Sequence, residues 1–284
     1  MHFMFKRYAI THAMTGRSLS FQNLYALSKV HRRPSPLAFA LLLSIPKLQA
    51  QTKWNETLKA VASDRDQYDV FGASVAIDGN YAIVGARYED ENVNGQDSLS
   101  AAGAAYLLER NATTGNWNQV QKIVASDQDS LDYFGFSVAI DGDYAIVGTP
   151  YENEDASGQN TKSNAGTAYL FERDANGTWS EVQKIVASDR DSLDYFGTSV
   201  SISGNYPIVG ASWEDEDASG QNTKSKAGAA YLFERNATNG NWREVQKIVA
   251  AERNNYDYFG WSVSISGNYA IVGASWEDED ASGQ

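Results

Sequence analysis

The chain of 284 residues contains no cysteine and only three histidines. The absence of cysteine excludes disulfide bonds, thiolate catalysis, zinc–thiolate sites and iron–sulfur clusters. The histidines are His2, His12 and His31, so the chain beyond residue 50 has none to act as a general base or metal ligand. A serine–histidine catalytic pair and a transition-metal site are therefore disfavoured there.

Acidic residues are missing from the first fifty positions, although that segment holds 7 of the 23 lysines and arginines. The remaining chain has 16 basic and 36 acidic residues, so its formal charge is −20, against −13 for the whole chain. Such a chain repels phosphate, which argues against a nucleic acid partner. The hydrophobic fraction of 42% is nevertheless large enough for a globular core.

Residues 1–50 are predicted to be a leader. Lys29 and the basic stretch His31–Arg33 precede an apolar run of nine residues from Leu37 to Ile45, and Ala50 stands before a polar segment. This order matches a secretory signal peptide cleaved after Ala50, and the run is shorter than the about 20 residues that span a bilayer. The alternatives are an N-terminal anchor, a buried helix and an organellar transit peptide. The sequence thus predicts a secreted, extracellular or cell-envelope protein without a transmembrane span.

Residues 51–284 are dominated by one repeated pattern. Phe-Gly pairs begin at Phe71, Phe134, Phe196 and Phe259, with spacings of 63, 62 and 63 residues. Phrases such as VQKIVASD, SLDYFG and AGxAYLFER recur around the pairs. A period of this length indicates an array or a propeller rather than two unrelated domains. The units lie near residues 54–110, 117–173, 179–235 and 242–284, the last one incomplete.

Each unit contains four strand-like runs that are rich in Val, Ile, Tyr and Phe and are bounded by Gly, Asn, Asp or Ser. In the second unit these runs are Val120–Ser126, Phe136–Ile140, Tyr144–Gly148 and Ala165–Arg173. Four short antiparallel strands per unit predict an all-β fold, a β-propeller of four-stranded antiparallel blades with one blade per unit. About three and a half blades are then present in the chain. A solenoid of stacked hairpins is the alternative.

The pattern FG-x-S-V-[AS]-I-[DS]-G-[ND]-Y-[AP]-I-V-G-[AT], followed by AG-x-AYL-[LF]-ER, resembles the FG-GAP repeat of integrin α-subunit heads and many secreted bacterial proteins. The resemblance covers roughly residues 54–284 and is nearer to the bacterial kind. It implies a propeller of about seven blades that acts at cell surfaces in adhesion or ligand binding, so further blades are expected beyond Gln284. The calcium loop of integrin-type repeats is not matched, because the connection here is a turn as short as Asp78-Gly79-Asn80.

The acidic residues are concentrated in two sets of loops. If the strands of a blade are labelled A (FG), B (IVG), C (AYLFER) and D (VQKIVA), the D–A and B–C loops lie at the same end of an antiparallel meander. The D–A loops carry Asp-x-Asp-x-x-Asp, which supplies hard oxygen ligands at calcium-like spacing. The alternative is that these aspartates cap turns and stay solvated. The candidate calcium ligands are Asp64, Asp66, Asp69, Asp127, Asp129, Asp132, Asp189, Asp191 and Asp194.

The B–C loops carry further acidic residues, which predict a face for a partner. Aromatic residues precede these loops and either stack on sugars or close the edge of a blade. The acidic residues are Glu152, Glu154, Asp155, Glu214, Asp215, Glu216 and Asp217. The aromatic residues are Tyr88, Tyr151, Trp213 and Trp276. The FG strands repeat a serine, interpreted as a small packing residue, at Ser74, Ser137, Ser199 and Ser262.

The sequence therefore predicts a secreted or cell-surface, non-enzymatic propeller that binds an extracellular protein or glycan, or mediates adhesion. Calcium is a candidate cofactor on its acidic loops. The alternatives are a secreted carbohydrate-active hydrolase or lyase, for which a pair of carboxylates could serve, and a passive spacer in a larger envelope protein. Binding is favoured because nearly the same acidic residues recur in every unit, whereas an active site is usually singular.

Overall fold

The structure, a computed structural model, describes residue 56, residues 58–95 and residues 98–278. Within these ranges the regular elements are β-strands, and none is a helix long and apolar enough to cross a membrane. The predicted leader at residues 1–50 lies outside the described residues. The strands are β1 Ser74–Asp78, β2 Tyr81–Ala86, β3 Ala104–Arg110, β4 Trp117–Ile123, β5 Ser137–Asp141, β6 Tyr144–Thr149, β7 Thr167–Arg173, β8 Trp179–Ile185, β9 Phe196–Ser203, β10 Tyr206–Ala211, β11 Ala229–Arg235, β12 Trp242–Ile248, β13 Phe259–Ser266 and β14 Tyr269–Ala274.

The strands form three four-stranded sheets and one two-stranded sheet, all antiparallel. Their orders are β1-β2-β3-β4, β5-β6-β7-β8, β9-β10-β11-β12 and β13-β14. Strands A and B are joined by two-residue turns in which a glycine takes positive φ, such as Gly142 at +58°. A glycine at the first central position suits the type II′ turn that tight hairpins favour. The prediction of an all-β propeller with about three and a half blades is confirmed.

The blades are offset from the sequence units by one strand. Strand β4 opens the second sequence unit, yet it pairs with β3 of the first unit, with Trp117 opposite Arg110. The turn before β4 is tight, since the Asn111 N–H donates to the Asn116 carbonyl oxygen at 2.8 Å. The chain therefore folds back onto β3 and crosses to the next blade only after β4. The prediction of one blade per unit is wrong in this respect, because a blade takes strands A to C from one unit and strand D from the next.

Strands C and D pair across a β-bulge at the same place in each four-stranded blade. In the first blade the pairs Leu107–Gln121 and Leu108–Gln119 leave Val120 as the extra residue. The bulge recurs in the next two blades. A bulge shifts the alternation of side chains by one residue. Strand D begins at Trp117, three residues before the predicted start at Val120, because the residues before the bulge also pair with strand C.

The hydrophobic core lies between neighbouring blades. Ile83 and Leu107 of the first blade pack with Phe134, Tyr169 and Trp179 of the second, and all five are almost fully buried. Equivalent clusters join the second blade to the third and the third to the fourth. Phe134, Phe196 and Phe259 thus fill the space between two sheets, as the sequence predicts for the FG pairs, whereas Phe71 packs within the first blade. Burial of each such ring contributes about 1.5–3 kcal/mol.

The glycines of the second, third and fourth FG pairs, Gly135, Gly197 and Gly260, let the backbones of neighbouring blades touch. Gly135 has φ of +86°, and a Cβ at this position would lie 2.4 Å from the carbonyl oxygen of Ala104 in the first blade. The Phe134 N–H donates to the Ala102 carbonyl oxygen at 2.8 Å. The repeated serine of the FG strand adds a further contact, because Ser74 Oγ donates to the Gly135 carbonyl oxygen at 2.7 Å. These serines therefore hold blades together.

A second inter-blade contact is made by the glutamine that follows the bulge. Gln183 Nε2 donates to the Trp242 carbonyl oxygen at 2.7 Å, and the Trp242 N–H donates to Gln183 Oε1 at 2.8 Å. Gln121 and Trp179 form the same pair of hydrogen bonds one blade earlier. The side-chain amide thus extends the backbone pairing from one sheet to the next.

Replacing Gln183 by alanine is expected to lower the free energy of unfolding by about 1–3 kcal/mol, because partly buried backbone groups of Trp242 lose their partner. Urea denaturation would measure the loss. The matched control is Gln246→Ala, at the same position one blade further along, where the side chain is exposed. The control should change stability by less than about 0.5 kcal/mol. Equal losses in the two variants would contradict the assigned role.

Candidate functional site

The D–A and B–C loops lie together at one end of the blades. The loop that leads into the second blade runs along the B–C loop of the first, where the Leu131 N–H donates to the Ser100 carbonyl oxygen at 2.8 Å and the Tyr133 N–H donates to that of Ala101 at 3.1 Å. The same contacts recur at the next two junctions. We call this end the acidic face. It comprises the D–A loops at residues 60–73, 124–136, 186–195 and 249–258 and the B–C loops at residues 87–95, 98–103, 150–166 and 212–228.

A lysine of strand D is held between two of the predicted site carboxylates. Lys184 Nζ lies 2.7 Å from Asp127 Oδ2 and 3.6 Å from Glu152 Oε1, and the lysine side chain is only 7% exposed. Tyr169 pairs with Lys184 across β7 and β8. Its hydroxyl lies 2.8 Å from Asp127 Oδ1 and 3.2 Å from Glu152 Oε2, as a donor to either carboxylate. A buried ammonium thus joins the D–A loop to the B–C loop.

The same arrangement recurs in the first and third blades. Lys122 Nζ lies 2.8 and 3.2 Å from its two carboxylates, and Lys247 Nζ lies 2.7 and 3.2 Å from its own. The first aspartate of each of the three predicted calcium sequences is therefore paired with a lysine. We call the three groups the lysine clusters. They are Asp64–Glu89–Tyr106–Lys122, Asp127–Glu152–Tyr169–Lys184 and Asp189–Glu214–Tyr231–Lys247.

The contacts within a lysine cluster shift the pKa values of its members. Burial raises the pKa of Asp127, but the hydrogen bonds from Lys184 and Tyr169 outweigh burial, so that the pKa lies below its ordinary value. The pKa of Asp64 is lowered in the same way. Burial, followed by the charges of Glu152 and Asp127, raises the pKa of Tyr169. The tyrosine therefore stays protonated and acts as a hydrogen-bond donor.

The second and third aspartates of each D–A loop are used within the loop. Asp129 is exposed, and its Oδ1 accepts from the Ser130 N–H at 2.7 Å. Asp132 is buried, and its Oδ2 accepts from the Asp129 N–H at 2.9 Å. Burial first, and the charge of Glu152 second, raise the pKa of Asp132 to about 8. The corresponding pairs are Asp66 with Asp69 and Asp191 with Asp194.

The predicted calcium ligands therefore do not converge on a common point. In each of the three D–A loops that carry predicted ligands, the first aspartate contacts the lysine of strand D, the second is exposed, and the third is buried as an acceptor for the loop backbone. Among the residues that the structure describes, no three or more His, Cys, Asp or Glu side chains are placed to hold a metal ion. Calcium takes six to eight oxygen ligands, which this arrangement does not fit. Calcium binding stays a prediction without support from these contacts.

The predicted partner-face residues of the B–C loops fall into three groups. Glu152 and Glu214 are 3% exposed and belong to the lysine clusters. Asp155 instead shapes its own loop, since its Oδ1 accepts from the N–H of Ser157 at 2.8 Å and its Oδ2 accepts from Asn160 Nδ2. The hydrogen bond from the Ser157 hydroxyl is the main cause that lowers the pKa of Asp155. Asp217 shapes the next B–C loop through the same contacts, with Ser219 and Asn222. The remaining members, all half-buried, are Glu154, Asp215 and Glu216.

Arginines in the D–A loops hold the preceding B–C loops, a role that the sequence analysis missed. Arg190 donates from Nη1 to the Asn160 carbonyl oxygen and from Nη2 to that of Asn153, both at 2.7 Å. Arg253 makes the equivalent contacts one blade further on. At the preceding junction the position is occupied by Gln128, which reaches only the Gly103 carbonyl oxygen, at 3.5 Å. The signal in the sequence is that this loop position is occupied by Arg65, Gln128, Arg190 and Arg253 in the four repeats.

Aromatic side chains form a continuous line across the acidic face. Tyr133 lies between Tyr88 and Tyr151, with ring centroids 5.2 and 4.7 Å apart. Tyr195 lies between Tyr151 and Trp213 in the same manner, at 5.1 and 4.6 Å. Tyr258 continues the line at 6.3 and 6.0 Å from its two neighbours. We call this line the aromatic ribbon; its members are Tyr88, Tyr133, Tyr151, Tyr195, Trp213, Tyr258 and Trp276.

Only part of the aromatic ribbon is predicted from the sequence. The prediction includes the aromatic residues before the B–C loops but not Tyr133, Tyr195 and Tyr258, which directly precede the second, third and fourth FG pairs and fill the gaps between them. Positive φ at Tyr133 (+59°) and Tyr195 (+54°) marks the unusual backbone at these tyrosines. Two cations already contact this region, since Lys226 Nζ lies 3.4 Å from the ring centroid of Trp213 and Arg87 lies over the ring of Tyr88 at 5.2 Å.

Known proteins resemble the chain in sequence and in structure. Residues 54–108, 117–171, 179–233 and 242–284 match the family model described as FG-GAP repeat. Among solved structures, periplasmic gluconolactonase PpgL of Pseudomonas aeruginosa is similar with a TM-score of 0.32 and 16% identity, over 75% of this chain and 70% of that chain. A likeness at this level says nothing about activity. No curated protein matches the chain. Because the family model covers most of the chain, and its FG pairs make the inter-blade contacts, the chain belongs to the FG-GAP repeat family.

Proposed function

We propose that this chain is a secreted or cell-surface, non-enzymatic propeller that binds a protein or glycan ligand on its acidic face. The observation that supports this proposal is the aromatic ribbon, whose rings follow one another at centroid distances of 4.6 to 6.3 Å from blade to blade. Half-buried tyrosine and tryptophan rings combine apolar surface with a polar tip, as binding sites for sugars and peptides require. The predicted leader at residues 1–50 supports export.

The contacts of the nucleophilic and acidic side chains support binding rather than catalysis. Ser137 Oγ donates to the Gly197 carbonyl oxygen at 2.8 Å, so this hydroxyl is part of the inter-blade contact. The carboxylates of the lysine clusters face an ammonium and a tyrosine instead of a substrate. General acid–base and nucleophilic catalysis need such groups within reach of the reacting atoms. These contacts also recur in three blades, whereas a reaction requires only one site.

The charges around the aromatic ribbon favour a ligand that carries hydroxyl or cationic groups. The chain beyond residue 50 has a formal charge of −20, and the half-buried Glu154 and Glu216 lie in the loops beside the ribbon. Such a surface attracts cations and repels phosphate. The position of Lys226 Nζ over Trp213 shows that the ribbon already accepts an ammonium group.

Calorimetric titration of the chain with neutral oligosaccharides and with lysine-rich or arginine-rich peptides would test this proposal. At least one of these probes is expected to bind saturably. The double variant Tyr195→Ala/Trp213→Ala should then bind at least about tenfold more weakly, since each aromatic contact contributes about 0.5–1.5 kcal/mol. The control is Trp117→Ala, which removes a half-buried tryptophan at the opposite end of the first blade.

Binding that is equally strong in the ribbon variant and in the control would contradict the proposed site. Mass spectrometry of the same oligosaccharides after incubation tests the enzymatic alternative. Turnover that is abolished by a single carboxylate substitution would replace the binding function with that of a carbohydrate-active enzyme.

A further inference from the structure

A lysine ammonium occupies the place among the loop carboxylates that a bound cation would take. The side chains of Lys122, Lys184 and Lys247 are 6%, 7% and 6% exposed. Each Nζ also lies 5.6 or 5.7 Å from the ring centroid of the tyrosine in its cluster. The ammonium is therefore enclosed by two carboxylates and one aromatic ring. It faces both the D–A loop and the B–C loop of its blade.

We propose that the strand-D lysine is a built-in cation of each complete blade, so that the acidic face folds and stays folded without bound calcium. This role is independent of the ligand binding proposed above. A cation that belongs to the chain cannot dissociate. The loops that carry the aromatic ribbon would therefore keep their conformation whatever the calcium concentration of the surroundings.

The chemistry of the donors and acceptors fits an ammonium better than calcium. Lysine has three N–H donors, and Lys184 meets carboxylate oxygens of Asp127 and Glu152 with the ring of Tyr169 beside it. Calcium would need six to eight oxygen atoms at 2.3–2.6 Å. The other two aspartates of the loop do not converge on the same point, since Asp129 is exposed and Asp132 is buried as the acceptor of the Asp129 N–H.

The position of the lysine makes it a structural link between three segments. Lys184 lies on β8, Asp127 in the D–A loop and Glu152 in the B–C loop. Without the ammonium, two carboxylates would face each other in a buried site. Removing one partner of a buried ion pair is strongly destabilising because it leaves an uncompensated charge. Removal of the ammonium is therefore expected to destabilise both the D–A loops and the B–C loops of the acidic face.

Thermal unfolding of the full chain tests this proposal. In calcium chloride at about 5 mM and in excess EGTA, the unaltered chain is expected to have the same Tm within about 1 °C. Lys184→Met should lower the Tm by about 10 °C, because its carboxylates lose their counter-charge. The control is Lys224→Met, which removes an exposed lysine of a B–C loop and should shift the Tm by less than about 2 °C.

Two results would overturn the proposal. One is a Tm of the unaltered chain that rises by several degrees with calcium and falls with EGTA. The other is a Lys184→Met variant no less stable than Lys224→Met. If Lys184→Met does not fold, the charge-free cluster Asp127→Asn/Glu152→Gln/Lys184→Met is expected to regain folding. A triple variant that is as unfolded as the single one would show that the ammonium acts through packing rather than charge, which also overturns the proposal.

Discussion

Replacing Gly148 by alanine is expected to lower the free energy of unfolding by about 3–5 kcal/mol. A Cβ at Gly148 would lie 2.1 Å from the carbonyl oxygen of Gly197 in the third blade and 2.3 Å from Ser137 Oγ. A backbone carbonyl between two packed sheets cannot move aside as a flexible side chain can, so the second and third blades must separate. Urea denaturation followed by tryptophan fluorescence would show a lower midpoint with an unchanged m-value.

Two glycines provide matched controls for this substitution. Gly273 has the same position in β14, but there a Cβ would meet only Ser262 Oγ closely, at 2.5 Å, and a hydroxyl can rotate away. Gly142 has φ of +58° with nothing within 4 Å of a Cβ, so alanine there should cost only about 1–2 kcal/mol of backbone strain. If Gly148→Ala cost no more than Gly142→Ala, the close approach of the blades would not be a determinant of stability.

The Tm of the chain is expected to fall by about 5 °C or more between pH 6 and pH 9. The pKa values of Asp132 and Asp194 are raised from 3.8 to about 8, first by burial and then by the charges of Glu152 and Glu214. The folded chain therefore binds two protons that the unfolded chain releases above about pH 4. The stability that these protons provide is fully present below pH 3.8 and is lost as the pH rises through 8. Thermal unfolding at a series of pH values measures the slope.

The variant Asp132→Asn/Asp194→Asn should flatten this pH dependence. An asparagine amide can imitate the protonated carboxyl group, and its oxygen still accepts from the loop backbone. Asp129→Asn is the control, because Asp129 is exposed and no change of slope is expected. Histidine does not contribute beyond residue 50, since the last one in the chain is His31. A slope that persists in the double asparagine variant would show that other groups hold the protons.

The strands and the role of the FG pair could be predicted from the sequence because they depend on local chemistry. Alternating apolar residues and glycine turns define the strands, and the repeated Phe134-Gly135 type of pair indicates close packing between sheets. The order A to D of the strands in a blade was also predicted, but the bounds of the sequence units do not coincide with those of the blades. A repeated pattern has no intrinsic starting point, so the pairing of β4 with β3 is decided by the tight turn between them.

The lysine clusters could not be predicted because the bulge at Val120 changes the alternation along strand D. A reader of the sequence who does not know of the bulge would not place Lys122 and Tyr106 on the same side of the sheet. The acidic loops were therefore interpreted as calcium sites. The lysine that neutralises each first aspartate lies far away in sequence, as Lys122 lies 58 residues after Asp64. The contacts of a long side chain depend on the register of its strand, and the register cannot be derived from the amino-acid composition.

The offset between unit and blade has a consequence for the evolution of the array. If one whole unit were inserted by duplication, its strand D would complete the preceding blade. Its strands A to C would pair with strand D of the unit that follows. Loss of a unit would work in the same way, so neither event leaves an unpaired edge at the junction. Residues 213–221 and 276–284 are identical in sequence, as expected of segments between which unequal recombination adds or removes a blade.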